Sequence, residues 1–147
     1  MILLDTNVVS ALMNDPVEPT VVSWLNRQPK ASIWTSAVTV LEIESGLKVI
    51  PIGETRDGLT RVFEFILKVI GHRITTFGYE AAQLAADVMA SRRKGGRTME
   101  IRDAMIAGIV LSHHATLATR NVTHFDDIRS RVVSPWDDGK RASGVIS

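Results

Sequence analysis

The sequence predicts an α/β fold in which a short parallel sheet is covered by helices. Brief, continuously apolar segments such as "ILL" (Ile2–Leu4) read as strands buried on both faces, unlike the alternating strands of a one-sided sheet. Longer stretches with helical spacing separate these segments, the order a parallel sheet needs for its crossovers. At 147 residues, 45% hydrophobic and 22% charged, the chain has the size and composition of one globular domain with a substantial core.

Ile2–Leu4 is the first strand, followed by a short helix over Val8–Met13 that "NDP" stops. A second helix begins after Pro19 and runs through Val21, Val22, Trp24 and Leu25 toward Gln28. "SIWTS" reads as a strand. Ser36 at its end is a good cap for a helix over Ala37–Ile50, which Pro51 ends. Leu59, Val62, Phe63, Ile66, Leu67 and Ile70 give Glu54–Ile70 a helical period. "RITTF" reads as a strand and Tyr79–Lys94 as an amphipathic helix. Gly95–Gly96 then breaks the chain before Ile101–His114, a helix apolar on nearly all sides. "ATLAT" is a strand, "NVTHFDD" a loop or single turn, and "RVVSP" a last strand. The domain is expected to span residues 1–136, with a small, polar and loosely held tail over 137–147.

The absence of cysteine excludes disulfides, cysteine-ligated zinc and cysteine nucleophiles, and suits a reducing compartment. A formal net charge of +1 does not announce nucleic-acid binding. The basic residues are nevertheless clustered, with Arg92, Arg93, Lys94 and Arg97 in "SRRKGGR" and Arg120, Arg129 and Arg131 near the end. Such runs serve equally as a solvated face or as a track for phosphates. "MILLD" lacks the basic start of an export signal, and "AMIAGIVL" is far short of the roughly 20 apolar residues of a membrane span. A cytoplasmic protein is expected.

Three acids stand where acids are costly. Asp5 ends a buried strand, at the carboxyl edge where open parallel sheets gather ligands. Asp5, Thr6 or Asn7 could simply cap the next helix, which explains one polar residue but not three in a row. Glu42 shares a helix face with Val38, Ser45 and Gly46, small residues that leave the acid approachable; an ordinary half-exposed helix acid is the alternative. Asp103 has Ile106, Ala107 and Val110 at i+3, i+4 and i+7, which puts it on a buried face. Unpaired there, it would cost several kcal/mol or take up a proton. Arg102 projects about 100° away around the helix. The helix N-terminus offers only about 0.3–1 kcal/mol.

One divalent cation shared by Asp5, Glu42 and Asp103 resolves all three placements. Oxygen ligands point to Mg²⁺ or Mn²⁺ rather than zinc. His113 and His114 sit where they would cap a helix, His72 precedes a strand, and only His124 lies near the proposed site.

"MILLDTNVVSAL", "TSAVTVLEIESGL", "RDAMIAGIVLSHHATLATRN" and "VVSPW" together resemble the PIN-domain family, in particular its VapC/FitB-like branch of bacterial toxin–antitoxin toxins. The resemblance runs from Met1 to Trp136 with order and spacing preserved. It implies a compact α/β/α sandwich and a metal-dependent nuclease site. By this match Asp5, Glu42 and Asp103 take the acidic active-site positions, with Thr6, Asn7 and Thr119 in support. Asn121 takes a position that carries a fourth acid in several relatives, which puts a strong second metal site in doubt; Asp126 or Asp127 could supply the missing charge.

The activity so implied is a Mg²⁺-dependent endoribonuclease acting on a structured RNA such as tRNA. Asp5 and Asp103 would hold the ion, and Glu42 would act directly or through water. Arg92, Arg93, Lys94, Arg97 and Arg120 are the candidates to hold RNA. The resemblance also implies a homodimer and a DNA-binding VapB/FitA-like antitoxin whose tail blocks the acidic pocket. The helix Glu54–Ile70 offers contacts for it, although core packing explains the same pattern. The competing reading is a FitB-like binding module in a DNA-bound autoregulatory complex, with weak or no hydrolysis. A receiver-like phosphoacceptor centred on Asp5 leaves Glu42 and Asp103 unexplained.

Overall fold

The computed structural model describes residues 1–137, so the expected tail lies outside the described residues beyond Asp137. Five strands form one sheet, β1 (Ile2–Leu4), β2 (Ile33–Ser36), β3 (Ile74–Thr75), β4 (Thr116–Ala118) and β5 (Val132–Val133). Every neighbouring pair is parallel, in the order β3-β2-β1-β4-β5. Among the described residues six α-helices flank it: α1 (Thr6–Met13), α2 (Pro19–Asn26), α3 (Ala37–Val49), α4 (Glu54–Val69), α5 (Tyr79–Lys94) and α6 (Ile101–Ser112).

The alternation of side chains along a strand divides the core in two. Leu4, Ile33 and Ala118 face a cluster built with Val8, Val9, Val21, Trp24, Ile43, Leu47 and Phe63 from α1–α4. Their strand neighbours Leu3, Trp34 and Leu117 face the opposite cluster, with Ala81 of α5 and Ile106, Ala107, Ile109 and Val110 of α6. Helices on both faces bury both sides of the sheet, which accounts for the continuous apolarity of the strand sequences. The α/β/α sandwich is as the sequence predicts.

Local chemistry sets the element ends. Ser36 caps α3 by accepting from the Thr39 amide at 3.1 Å, and Pro19 occupies the first turn of α2. The outer strands are shorter than their apolar stretches suggest. In "RITTF" only Ile74 and Thr75 pair with β2, while Phe77 packs against the α5–α6 cluster. Helix α6 ends at Ser112, before the two histidines; His113 is its C-cap and His114 adopts a left-handed backbone (φ 49°).

Helix α6 is apolar all round because it lies between the sheet and α5. Gly108 makes the close approach to α5 possible: a Cβ built there would stand 2.1 Å from the Ala81 carbonyl oxygen and 3.0 Å from the Ala85 Cβ. The neighbour at 2.1 Å is backbone and cannot rotate aside. Gly108→Ala is therefore expected to lower unfolding stability by about 2–3 kcal/mol. Urea titration followed by circular dichroism measures this, and an unchanged midpoint would contradict the packing described.

Candidate active-site cleft

The chain builds β2 and β3 on one side of β1, then returns to add β4 and β5 on the other. The crevice at the carboxyl ends of β1 and β4 is thus the topological switch point of the sheet. Asp5 follows β1 and Thr119 follows β4 at this point. An open cleft of about 720 Å³ begins there, and Asp5, Glu42 and Asp103 all line it.

Asp5 is buried, 8% exposed, and hydrogen bonds fix its orientation. It accepts from the Thr6 amide at 2.8 Å, so it caps α1 as well as facing the cleft. Thr119 Oγ1 donates to Asp5 Oδ2 at 2.8 Å and in turn accepts from Asn7 Nδ2 at 3.2 Å and the Asn121 amide at 3.1 Å. That single hydroxyl proton is spent on the carboxylate, and both lone pairs are occupied. Asn7 Oδ1 accepts from the Arg120 amide at 3.0 Å, tying the turn after β4 to α1.

Glu42 reaches the cleft from α3. Its Oε1 accepts from Thr6 Oγ1 at 3.0 Å, and Thr6 Oγ1 lies 3.1 Å from Thr39 Oγ1. Its Oε2 accepts from Arg102 Nη1 at 2.6 Å. Ser45 and Gly46 line, together with Glu42, an adjacent groove of about 550 Å³ whose other walls include Met13, Leu41, Leu47 and Leu59. Glu42 and Arg102 border both spaces.

Asp103 lies in the first turn of α6 and keeps 30% of its side chain exposed. The buried face expected from its apolar neighbours is only partly realised, because the first turn of α6 lines the open cleft. His124 Nδ1 stands 3.6 Å from Asp103 Oδ2. Among the described residues no three acidic or histidine side chains converge into a ready-made metal group. Glu42 directs both of its oxygens to Thr6 and Arg102.

The electrostatics reflect the crowding. Burial pushes the Asp5 carboxyl above its usual range against the hydrogen bonds from Thr119 and Thr6, and the charges of Asp103 and Glu42 push it the same way. Burial also raises Asp103, opposed by His124, with Glu100 and Glu42 adding to the rise and Arg102 opposing it.

The expected basic track is divided. Arg92 is buried and braces the fold: its Nε donates to Asp127 Oδ2 at 2.7 Å, and its Nη2 to Asp127 Oδ1 and the His124 carbonyl. Its guanidinium is thus committed to the loop after β4, although Arg92 also belongs to the cleft lining. Its position was legible, since Ala81, Ala85, Val88 and Arg92 form an i, i+4, i+7, i+11 stripe on the inner face of α5. Arg93 and Lys94 line an adjoining apolar pocket with Met89 and Met99, which meets the cleft at Arg97, Thr98 and Met99. Arg97 and Arg120 line the acidic cleft, Arg120 with its guanidinium carbon 5.0 Å from the centre of the Trp136 ring. Asp126 pairs with Arg97 at 3.3 Å, and Arg92 holds Asp127 below the usual carboxylate range. Both acids are therefore taken up by arginines, and neither lines the cleft as a replacement for the absent fourth acid; the Asn121 amide does line it. No local pattern points to Arg102, which projects away from Asp103 around α6 and whose partner Glu42 is 60 positions distant.

The PIN domain model matches residues 2–130. The chain belongs to the PIN-domain family. This PIN domain is 30% identical over 138 residues to the VapC ribonuclease Y4jK of Sinorhizobium fredii, covering 93% of this chain and 99% of that protein. It is 31% identical over 139 residues to the toxin FitB of Neisseria gonorrhoeae, covering 94% of this chain and all of that protein (100%). A solved structure of FitAB bound to an IR36 DNA fragment superposes with a TM-score of 0.85 at 31% identity, covering 92% of this chain and 96% of the matched chain. Among the described residues no helix is long and apolar enough to cross a membrane.

The raised Asp103 carboxyl has a consequence for stability. A carboxyl whose folded pKa lies above its unfolded value binds more protons in the native state, so native stability falls as pH rises through that interval. Asp103→Asn removes the penalty. Its Tm at pH 7 is expected to exceed that of the parent by about 2–4 °C. The gap should close below the unfolded value of 3.8, where both side chains are neutral. Calorimetry at the two pH values decides this, and a lower Tm for the variant at pH 7 would refute it.

Proposed function

We propose that this chain is a Mg²⁺- or Mn²⁺-dependent endoribonuclease toxin of the VapC type. It hydrolyses phosphodiester bonds in a structured RNA such as tRNA, is neutralised by a cognate DNA-binding antitoxin, and acts as a cytoplasmic homodimer. The nuclease unit comprises residues 1–136. One observation carries the reading: Asp5 and Asp103, both raised by burial and by neighbouring acids, open into one cleft whose walls include Arg97 and Arg120. A structural domain gains nothing from two such carboxylates; a cation site does.

The donor chemistry fits Mg²⁺, which keeps several waters and takes one or two carboxylates. Asp5 and Asp103 are the proposed direct ligands, and Glu42 the third, direct or through water. A cation there supplies Lewis-acid chemistry, lowering the pKa of water and offsetting charge on the phosphate. The rest falls to the chain. Thr119 and Thr6 fix the Asp5 carboxylate, and Asn7 holds the loop that presents Arg120. Arg97 and Arg120 neutralise phosphates on either side of the scissile bond. The Asn121 side chain offers an amide oxygen without charge, which favours one firmly held ion over two.

Partner contacts have surface to use. Leu41, Val49, Ile52, Phe65 and Val69 on and around α3 and α4 are exposed. The groove of about 550 Å³ leads from this apolar surface to Glu42, a path for an antitoxin segment entering the cleft. The FitAB–DNA structure supports an antitoxin of DNA-binding type. The alternative of a purely DNA-bound module leaves the raised carboxylates without a use and is not favoured.

Purified chain, free of partner, is expected to cleave total RNA with Mg²⁺ and to stop on addition of EDTA. Asp103→Asn should lose roughly 100-fold or more of the rate. Because that variant is expected to be the more stable protein, misfolding does not account for the loss. Cleavage that persists with chelator or in the variant would overturn the proposal.

A further inference from the structure

Arg102 is in an unusual position for a cation. It lies in the first turn of α6, where the helix dipole disfavours positive charge. It is nevertheless held there by two carboxylates, Glu42 Oε2 at 2.6 Å and Glu100 Oε2 at 3.4 Å. The closer contact falls on Glu42, the acid proposed as third metal ligand, and uses the one oxygen that Thr6 leaves free. Arg102 also opposes the rise in the Asp103 carboxyl. A single guanidinium therefore relieves two of the three clustered acids.

We propose that Arg102 occupies, on Glu42, the place of the divalent cation, so that the ion binds by exchange and Arg102 sets the affinity of the cleft for it. The inference rests on the metal-nuclease reading above. Glu42 Oε2 keeps a second lone pair, but an ion bound there would stand against the positive charge of the Arg102 guanidinium 2.6 Å from the same oxygen, so direct recruitment of Glu42 favours release of the guanidinium. Release is feasible because the Arg102 side chain is 53% exposed and the pair is therefore screened by water. Glu100 retains the displaced guanidinium at the cleft rim, where both residues belong to the lining. In the resting protein Asp5 is left with no cation in contact, and Asp103 with only His124 at 3.6 Å and the more distant charge of Arg102. Arg102 is thus a positioning residue that acts through Glu42.

The test measures cation binding without turnover. Full-length chain free of partner is titrated with Mn²⁺, and free ion is followed by the loss of its aqueous electron paramagnetic resonance signal on binding. Arg102→Gln is expected to bind Mn²⁺ roughly 3- to 10-fold more tightly than the parent, since it removes both the competing donor and a repelling charge. Arg97→Gln removes an equal charge from the same cleft without touching Glu42, and a change of less than about 2-fold is expected from screening alone. In Glu42→Gln the gain from a second Arg102→Gln substitution should shrink to the size of the Arg97→Gln effect. Equal affinity in the parent and Arg102→Gln, with binding lost in Asp103→Asn, would overturn the exchange while leaving the metal site standing. Weaker binding in Arg102→Gln would do the same. Failure of the parent and Arg102→Gln alike to bind Mn²⁺ would overturn both the exchange and the metal-nuclease reading.

Discussion

Repulsion among Asp5, Glu42 and Asp103 is the constraint around which this end of the molecule is built. The three come from different elements, the end of β1, the middle of α3 and the start of α6, and face one cleft. Each is relieved by different means. Asp5, the most buried, is met by dipoles alone, the Thr6 amide and the hydroxyl of Thr119. Glu42 has a hydroxyl and a full positive charge, and Asp103 has a histidine and some solvent. Dipoles orient a carboxylate without discharging it, so the residual field concentrates at Asp5, the position deepest in the switch-point crevice.

The fold holds these groups apart and together at once. Strands of two to four residues suffice because α1–α4 and α5–α6 bury both faces of the sheet. Short strands also bring both the Asp5 cap and the Thr119 hydroxyl to the same edge within a few residues of the core. The Gly108 contact seats α6 close against α5, and the first turn of α6 brings Arg102 and Asp103 to the cleft.

Legibility in the sequence followed the range of the interactions. The sandwich, the strand–acid junction at Asp5 and the all-apolar α6 are written in local periodicity and were readable. The lengths of β3 and β5 were overestimated because apolar residues beside a strand, such as Phe77, can pack on helices instead of joining the ladder. The site was legible as a set of acids and illegible as a charge balance. Arg92 pairs with Asp127 across 35 positions and Arg102 with Glu42 across 60, separations at which a local pattern carries no information. Arg92 alone left a trace, its place on the buried stripe of α5, which the surrounding run "SRRKGGR" masked by suggesting a uniform basic surface.

The division of that run bears on the amide at Asn121. Arg92 and Arg97 are drawn to Asp126 and Asp127, so the loop after β4 is braced by its own acids outside the cleft. The Asn121 backbone N–H supports Thr119, a task any residue but proline performs, which frees the side chain from a structural role. An acid at that position would add a further negative charge to a cleft that Asp5, Glu42 and Asp103 already line. The uncharged amide thus adds no carboxylate to Asp5 and Asp103, the two acids whose ionisation burial already opposes, and a hydrated Mg²⁺ ion takes one or two.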